Sequence, residues 1–151
     1  MIRVVLDTNI VVSAYLNQEG LPFSILKLAL AGVIRLCVSG PILAEYEELL
    51  QRKSYPLDRR RAHLLLKHVK AASELFRPAG GLAVTKDPDD NVFLECAQAA
   101  KAHYLVTGNT DHFPKKRWKY TYIVTPRTFI NVWKDLHPGD EPVQGFQRTK
   151  E

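Results

Sequence analysis

Residues 2–9, Ile2-Arg3-Val4-Val5-Leu6-Asp7-Thr8-Asn9, decide the fold class. The run from Ile2 to Leu6 is apolar and mostly β-branched, broken by Arg3 alone, which is the pattern of a short strand buried on both faces of a parallel sheet. Asp7 ends it. Helices over 10–16 and 22–31 follow, the second with Pro22 in its first turn and Gly32 behind its last. A second strand is predicted over 33–38, after which Ser39 can cap a helix over 41–52. The apolar stripe of that helix is Ile42, Leu43, Tyr46, Leu49 and Leu50.

The alternation continues outward from there. A long helix over 58–76 is predicted to carry Leu64, Leu65, Val69, Ala72 and Leu75 inward and Arg59, Arg60, Arg61, Lys67 and Lys70 largely outward. Gly80-Gly81 breaks the chain, and a brief strand over 82–85 precedes a helix opened by Asp87-Pro88-Asp89-Asp90 that runs to about 102. A strand over 104–107, a loop over 108–119, a strand over 120–124 and a helix from Thr125-Pro126 through about 136 complete the pass. Parallel strands need helical crossovers, so the class is α/β, with a central, mostly parallel β-sheet flanked by helices. One domain is expected over 1–136, and the tail over 137–151, rich in Pro138, Gly139, Pro142 and Gly145, reads as flexible or ordered by a partner.

Composition limits the function classes. At 151 residues, 46% hydrophobic and 25% charged, the chain is neither collagen-like nor wholly disordered nor a disulfide scaffold, and it shows no internal repeat. No apolar run approaches the roughly 20 residues of a membrane-spanning helix. MIRVVLD does not read as a secretion signal, so a cytoplasmic location and no membrane partner are expected. Cys37 and Cys96 form no CxxC pair and read as buried free thiols. Lys and Arg outnumber Asp and Glu by 21 to 16, a net charge of +5 that favours a polyanionic partner.

Ligands of open α/β sheets bind beyond the carboxyl ends of the strands, and in this basic chain those positions are acidic: Asp7, Glu45, the 87–90 cluster and Asp111. Carboxylates crowded at one sheet end raise one another's pKa unless a cation neutralises them, and hard oxygen donors select Mg²⁺ or Mn²⁺. Plainer roles stand beside this one. Asp7 can cap the following helix or make an Asx-turn, and Asp87 and Asp89 fit an ordinary first helical turn. Periodicity puts both Glu45 and Glu47 at edges of the apolar stripe; nearness to the helix start favours Glu45.

Asp7-Thr8-Asn9 after a strand, Glu45 within Pro41-Ile42-Leu43-Ala44-Glu45-Tyr46, Asp87-Pro88-Asp89-Asp90-Asn91, and Leu105-Val106-Thr107-Gly108-Asn109 occur in this order. Together they resemble a PIN domain over nearly the whole chain, and most closely the VapC-like subgroup, the toxin components of bacterial and archaeal toxin-antitoxin pairs. The resemblance implies a compact three-layer α/β fold and a metal-dependent endoribonuclease that gathers its acids around one or two Mg²⁺ or Mn²⁺ ions. Asp7, Glu45 and Asp90 match the first three acids. Asn109 stands where the subgroup usually has a fourth, so a ligand role falls to Asn109 itself or to Asp111 two residues on, with weaker metal binding implied. Thr8, Asn9, Asn91 and Thr107 are candidates for orienting these ligands, with backbone capping open as an alternative. Relatives of this type commonly dimerise and are held inactive by a small antitoxin protein, and the same is expected here.

Other chemistries find little support. There is no Walker loop, no GxSxG, and no second Asp two residues after Asp7. His63 and His68 are five apart and His103, His112 and His137 are scattered, which argues against zinc. Lys115-Lys116-Arg117-Trp118 interleaves cations with an aromatic ring, as single-stranded RNA binders do, although a solvated turn gives the same pattern. Arg52, Lys53 and Arg59 to Arg61 form a second basic cluster with the same two readings. A PIN-like module that binds RNA or a partner without cutting, and a metal-dependent DNA nuclease or phosphatase, are the surviving alternatives.

Overall fold

In the computed structural model, which describes residues 1–53, 58–113 and 116–139, β1 (Arg3–Leu6) lies inside the sheet with Val4, Val5 and Leu6 inaccessible to solvent. The chain then runs through α1 (Thr8–Leu16), α2 (Leu21–Leu30), β2 (Arg35–Ser39), α3 (Gly40–Lys53) and α4 (Arg59–Ala72). It continues through β3 (Ser73–Phe76), α5 (Pro88–Ala100), β4 (Tyr104–Val106), a 3-10 turn (Thr110–His112), β5 (Arg117–Trp118), β6 (Thr121–Val124) and α6 (Pro126–Leu136). Strand order is β3-β2-β1-β4-β6-β5; every pairing is parallel except β5 with β6. Helices flank this sheet, and none among the described residues is long and apolar enough to cross a membrane.

The chain enters the sheet at β1, adds β2 and β3 on one side, then returns to add β4 on the other. The crevice between β1 and β4 is therefore the topological switch point, where the loops leaving adjacent strands diverge and a ligand can enter. Their register sets Leu6 beside Val106, so Asp7 and Thr107 emerge side by side. The helix over 41–52 packs as its stripe predicts: Ile42, Tyr46 and Leu50 are buried, Leu43 and Leu49 partly so. Cys37 and Cys96 are free and buried, and desolvation raises both thiols, that of Cys96 to about 12, which disfavours the reactive thiolate.

Three elements differ from the sequence reading. The helix over 58–76 is two elements: Ser73 turns extended and its hydroxyl donates to the Val69 carbonyl, ending α4, and β3 then pairs with β2 from Leu36–Ser73 to Ser39–Phe76. The buried stripe of α4 is Ala62, Leu66 and Val69, while Leu64 and Leu75, expected inward, are exposed. No strand forms over 82–85, because the Val84 and Thr85 N–H groups are satisfied by the Asn91 side chain instead of a neighbouring strand. The expected loop over 108–119 contains the 3-10 turn and the edge strand β5, and Tyr120 belongs to the β5–β6 turn, where Lys119 has φ +53°. At the other end, His137 stacks on Trp133 at 4.4 Å and closes α6; residues 140–151, including Pro142 and Gly145, lie outside the described residues.

Candidate metal centre

Asp7 is buried at the end of β1, 7% exposed, and makes no capping bond to α1. Its Oδ2 accepts from the Thr107 hydroxyl at 2.7 Å, and its backbone N–H donates to Val106 O at 2.9 Å, so two bonds across the switch point fix it. Thr107 also accepts from the Asn109 N–H at 3.1 Å, which ties the loop after β4 to the same hydroxyl. Glu45, not the exposed Glu47, faces this region: its Oε1 accepts from Thr8 Oγ1 at 2.9 Å. The next residue, Tyr46, is fully buried and donates its hydroxyl to Leu6 O at 2.5 Å, locking α3 against the last residue of β1.

Asp90 sits in the first turn of α5, its side chain 14% exposed. Pro88 starts that helix, and Asp87 caps it by accepting from the Asp89 N–H at 2.9 Å. Burial is the largest influence lifting both Glu45 and Asp90 above the ordinary carboxylate range. For Glu45 the Thr8 hydrogen bond offsets part of this, while the negative charges of Asp89, Asp7 and Asp90 add to it. For Asp90 the Asp7 charge adds and His112 offsets. Carboxylates from β1, α3 and α5 thus converge closely enough to repel one another. Among the described residues, none of the three forms an ion pair with a lysine or arginine.

The remaining expected residues fall at varied distances from this centre. Asp111 and His112 line a cleft of about 420 Å³ together with Asp87, Asp90 and Phe113, and Asp111 is exposed there. Asn109 is exposed, and its amide nitrogen lies 2.7 Å from His112 Nε2. Asn91 is buried and holds the 84–85 backbone through its oxygen; Asn9 is exposed, with no hydrogen bond to a site carboxylate among the described residues. Lys115 and the Lys53 side chain lie outside the described residues.

The basic edge runs away from the acids. Trp118 pairs with Thr121, at the start of β6, whereas Val124 at its end receives the Thr107 N–H; three residues of strand, about 10 Å, separate the two. Trp118 is half-buried against the core with Lys119 5.0 Å over its ring. Arg117 lies over Tyr122, and Lys116, whose carbonyl accepts from Ile123, is the described cation of this stretch nearest the acidic end. In the second cluster Arg52 pairs with Glu48, and Arg61 donates to Tyr15 O at 2.8 Å while stacking on that ring.

Two residues that matter here escaped the sequence reading. Tyr46 reads as one more member of an apolar stripe, and its hydroxyl bond to Leu6 has no local signal. His112 lies 3.4 Å from Asp90 Oδ2 through Nδ1, a contact between a loop and a helix start that histidine spacing does not show.

The fold and site define a mostly parallel α/β domain with carboxylates of three elements near its switch point. The family comparison makes it specific. The PIN domain family matches residues 3–111, and the chain is 33% identical over 113 residues to an uncharacterized protein of Methanocaldococcus jannaschii, covering 73% of this chain and 72% of that one. The chain belongs to the PIN domain family, whose members are typically nucleases and generally use divalent metal ions.

The donor set fits such an ion in chemistry: hard carboxylate oxygens, mutually repelling, beside hydroxyls that can hold them in place. As the side chains stand, no three His, Cys, Asp or Glu groups among the described residues are close enough together to hold one ion.

Proposed function

We propose that the chain is a divalent-metal-dependent endoribonuclease in which Asp7, Glu45 and Asp90 bind Mg²⁺ or Mn²⁺, directly or through water, with Asp111 at the rim. One observation carries this: the carboxylates of Asp7, Glu45 and Asp90 lie near enough at the switch point to raise one another's pKa and, among the described residues, none of them forms an ion pair with a lysine or arginine. A bound divalent ion supplies an ionised water at neutral pH and neutralises charge on the phosphoryl oxygens. The protein's part is to orient. Thr107 fixes Asp7 and Thr8 fixes Glu45, so each carboxylate keeps a second oxygen for ligation. No covalent protein nucleophile is required. RNA as the substrate is supported by the net charge of +5 and the exposed Lys116 and Arg117.

The order of motifs also supports the finer reading, a cytoplasmic toxin of a toxin-antitoxin pair that dimerises and is restrained by a small cognate antitoxin. The test of the chemistry is cleavage of single-stranded and structured RNAs with Mg²⁺, Mn²⁺ or chelator. Asp7→Asn is expected to abolish cleavage, and undiminished cleavage at saturating Mg²⁺ sinks the assignment. Asn109 at the fourth acid position favours one second reading, a PIN module that binds RNA without cutting; metal binding without turnover on any substrate in that panel selects it.

A further inference from the structure

Lys86 stands one residue before the Asp87 cap of α5 and lines the same cleft of about 420 Å³ as Asp87, Asp90, Asp111 and His112. It is exposed, and among the described residues it is the one lysine or arginine lining this cleft. Three carboxylates share the cleft with it, yet among the described residues Lys86 makes no ion pair. A cation placed to neutralise the acids would pair with one of them. The charge of Lys86 is instead open to an anion that enters the cleft.

The segment that carries Lys86 is held from both sides. Asn91, buried and next to Asp90 on α5, accepts through Oδ1 from the Val84 N–H at 3.1 Å, the Thr85 N–H at 2.8 Å and the Thr85 hydroxyl at 3.1 Å. That hydroxyl also lies 2.6 Å from the Asp87 carbonyl oxygen, across Lys86 itself. The bonds that replace strand pairing over 84–85 therefore fix the backbone of Lys86 relative to Asp90, while its side chain is left to solvent at the cleft.

A polyanion that approaches several carboxylates is repelled, and a divalent ion neutralises charge only at the phosphate being cut. The phosphates beside that one need a cation outside the carboxylate cluster but within the same cleft. Lysine suits this task, since its ammonium is a compact charge on a flexible stem and binds phosphate without a fixed bidentate geometry. We propose that Lys86 binds an RNA backbone phosphate next to the one at the acidic centre, so that the cleft it lines seats the nucleotide flanking the scissile bond. The proposal rests on the ribonuclease reading above.

The test is fluorescence anisotropy of a labelled oligouridylate titrated with the full chain over a range of salt, in chelator, so that binding is read apart from metal and cleavage. Lys86→Ala is expected to weaken binding about three- to five-fold, while Lys86→Arg keeps it. The alanine variant should also lower the slope of log affinity against log salt by about 0.7, the amount for one phosphate contact on a single strand. With Mg²⁺ or Mn²⁺ present, its kcat/KM for cleavage should fall mainly through KM. Unchanged affinity and slope in Lys86→Ala, or no binding of the oligouridylate by wild type at low salt, overturns the proposal. So does a Mn²⁺ affinity that rises in Lys86→Ala while RNA binding stays as it was, which makes Lys86 a counter-charge to the acids. RNA binding that depends on Lys86 in a wild type that cuts no RNA with either ion removes the nuclease reading and keeps the phosphate contact. Metal-dependent cleavage with RNA affinity unaltered by Lys86→Ala does the reverse. Because Lys86 is exposed, its replacement spares the core, and circular dichroism of the variants confirms that losses are local.

Discussion

Glu45→Gln should stabilise the protein while removing its metal affinity. Gln keeps the length of Glu and an oxygen for the Thr8 hydroxyl, so what changes is the charge. Burial and three neighbouring carboxylates act against that charge, and Thr8 acts for it. In a strongly screened setting a like charge several ångströms away repels by under about 1 kcal/mol, so three come to about 2 kcal/mol. Exchanging a charge-assisted hydrogen bond for a neutral one returns about 1 kcal/mol of this. The net gain is about 1 kcal/mol, or a rise in Tm of about 3 °C for a chain of this size. The sign depends on pH. The folded-state pKa of Glu45 is raised, so its contribution to stability is fully present below the unfolded value of about 4.3 and is lost as pH rises through the higher folded one. The gap between variant and wild type should therefore be absent near pH 4 and open as pH rises above it. Differential scanning fluorimetry across pH measures it. Mn²⁺ should then raise the wild-type Tm by mass action and leave the variant nearly unmoved. A variant that melts below wild type at pH 7, or with a pH-independent offset, refutes the claim that unneutralised carboxylates strain this centre.

Thr107→Val removes the donor to Asp7 and the acceptor of the Asn109 N–H in a site with no solvent access; an expected loss of about 1–3 kcal/mol is read from urea midpoints, and an unchanged midpoint contradicts it. Tyr46→Phe deletes a buried hydroxyl that holds α3 on Leu6, and should cost about 1–2 kcal/mol in the same assay, with a larger fractional loss of metal affinity than a remote core variant of equal stability. Lys116→Ala with Arg117→Ala should weaken RNA binding and lower the slope of log affinity against log salt by about 0.7 for each phosphate that the two cations neutralise; an unaltered slope assigns them to solvation.

What could be read from the sequence follows the range of the signals. β1, β2 and β4 are marked by short apolar runs, since parallel strands are covered on both faces, whereas β6 alternates, burying Thr121 and Ile123 and exposing Tyr122. β3 carries no such mark, because Ser73-Glu74-Leu75-Phe76 continues the helical spacing of Val69 and Ala72 and, as an edge strand, it buries neither Glu74 nor Leu75. Nothing local announces that Ser73 stops the helix with its hydroxyl. Leu82 to Thr85 erred in the opposite direction: its composition suits a strand, but a strand needs a neighbour, and Asn91 satisfies the two amides first. The nearness of Asp7, Glu45 and Asp90 to one another was legible because Asp7 follows β1, Glu45 stands about one turn into the helix after β2, and Asp90 lies in the first turn of α5, positions the sheet topology gathers at one end. His112 was not, since its partners depend on how a 3-10 turn bends.

The hydroxyls explain how such a centre persists despite its repulsion. Thr8, adjacent to Asp7, reaches Glu45 on α3; Tyr46, adjacent to Glu45, reaches back to Leu6 beside Asp7; Thr107 reaches Asp7 from the neighbouring strand. Each tie therefore joins two of the elements that carry or flank an acid, and none adds a positive charge. A lysine in the same place would relieve the repulsion more completely, but it would also occupy the oxygens that a cation needs. Uncharged donors stabilise the geometry at about 1 kcal/mol each and leave the negative potential in place. That division, packing and hydroxyls holding the carboxylates with no lysine or arginine ion pair among the described residues and only His112 beside Asp90, is what the metal-dependent reading requires of these residues.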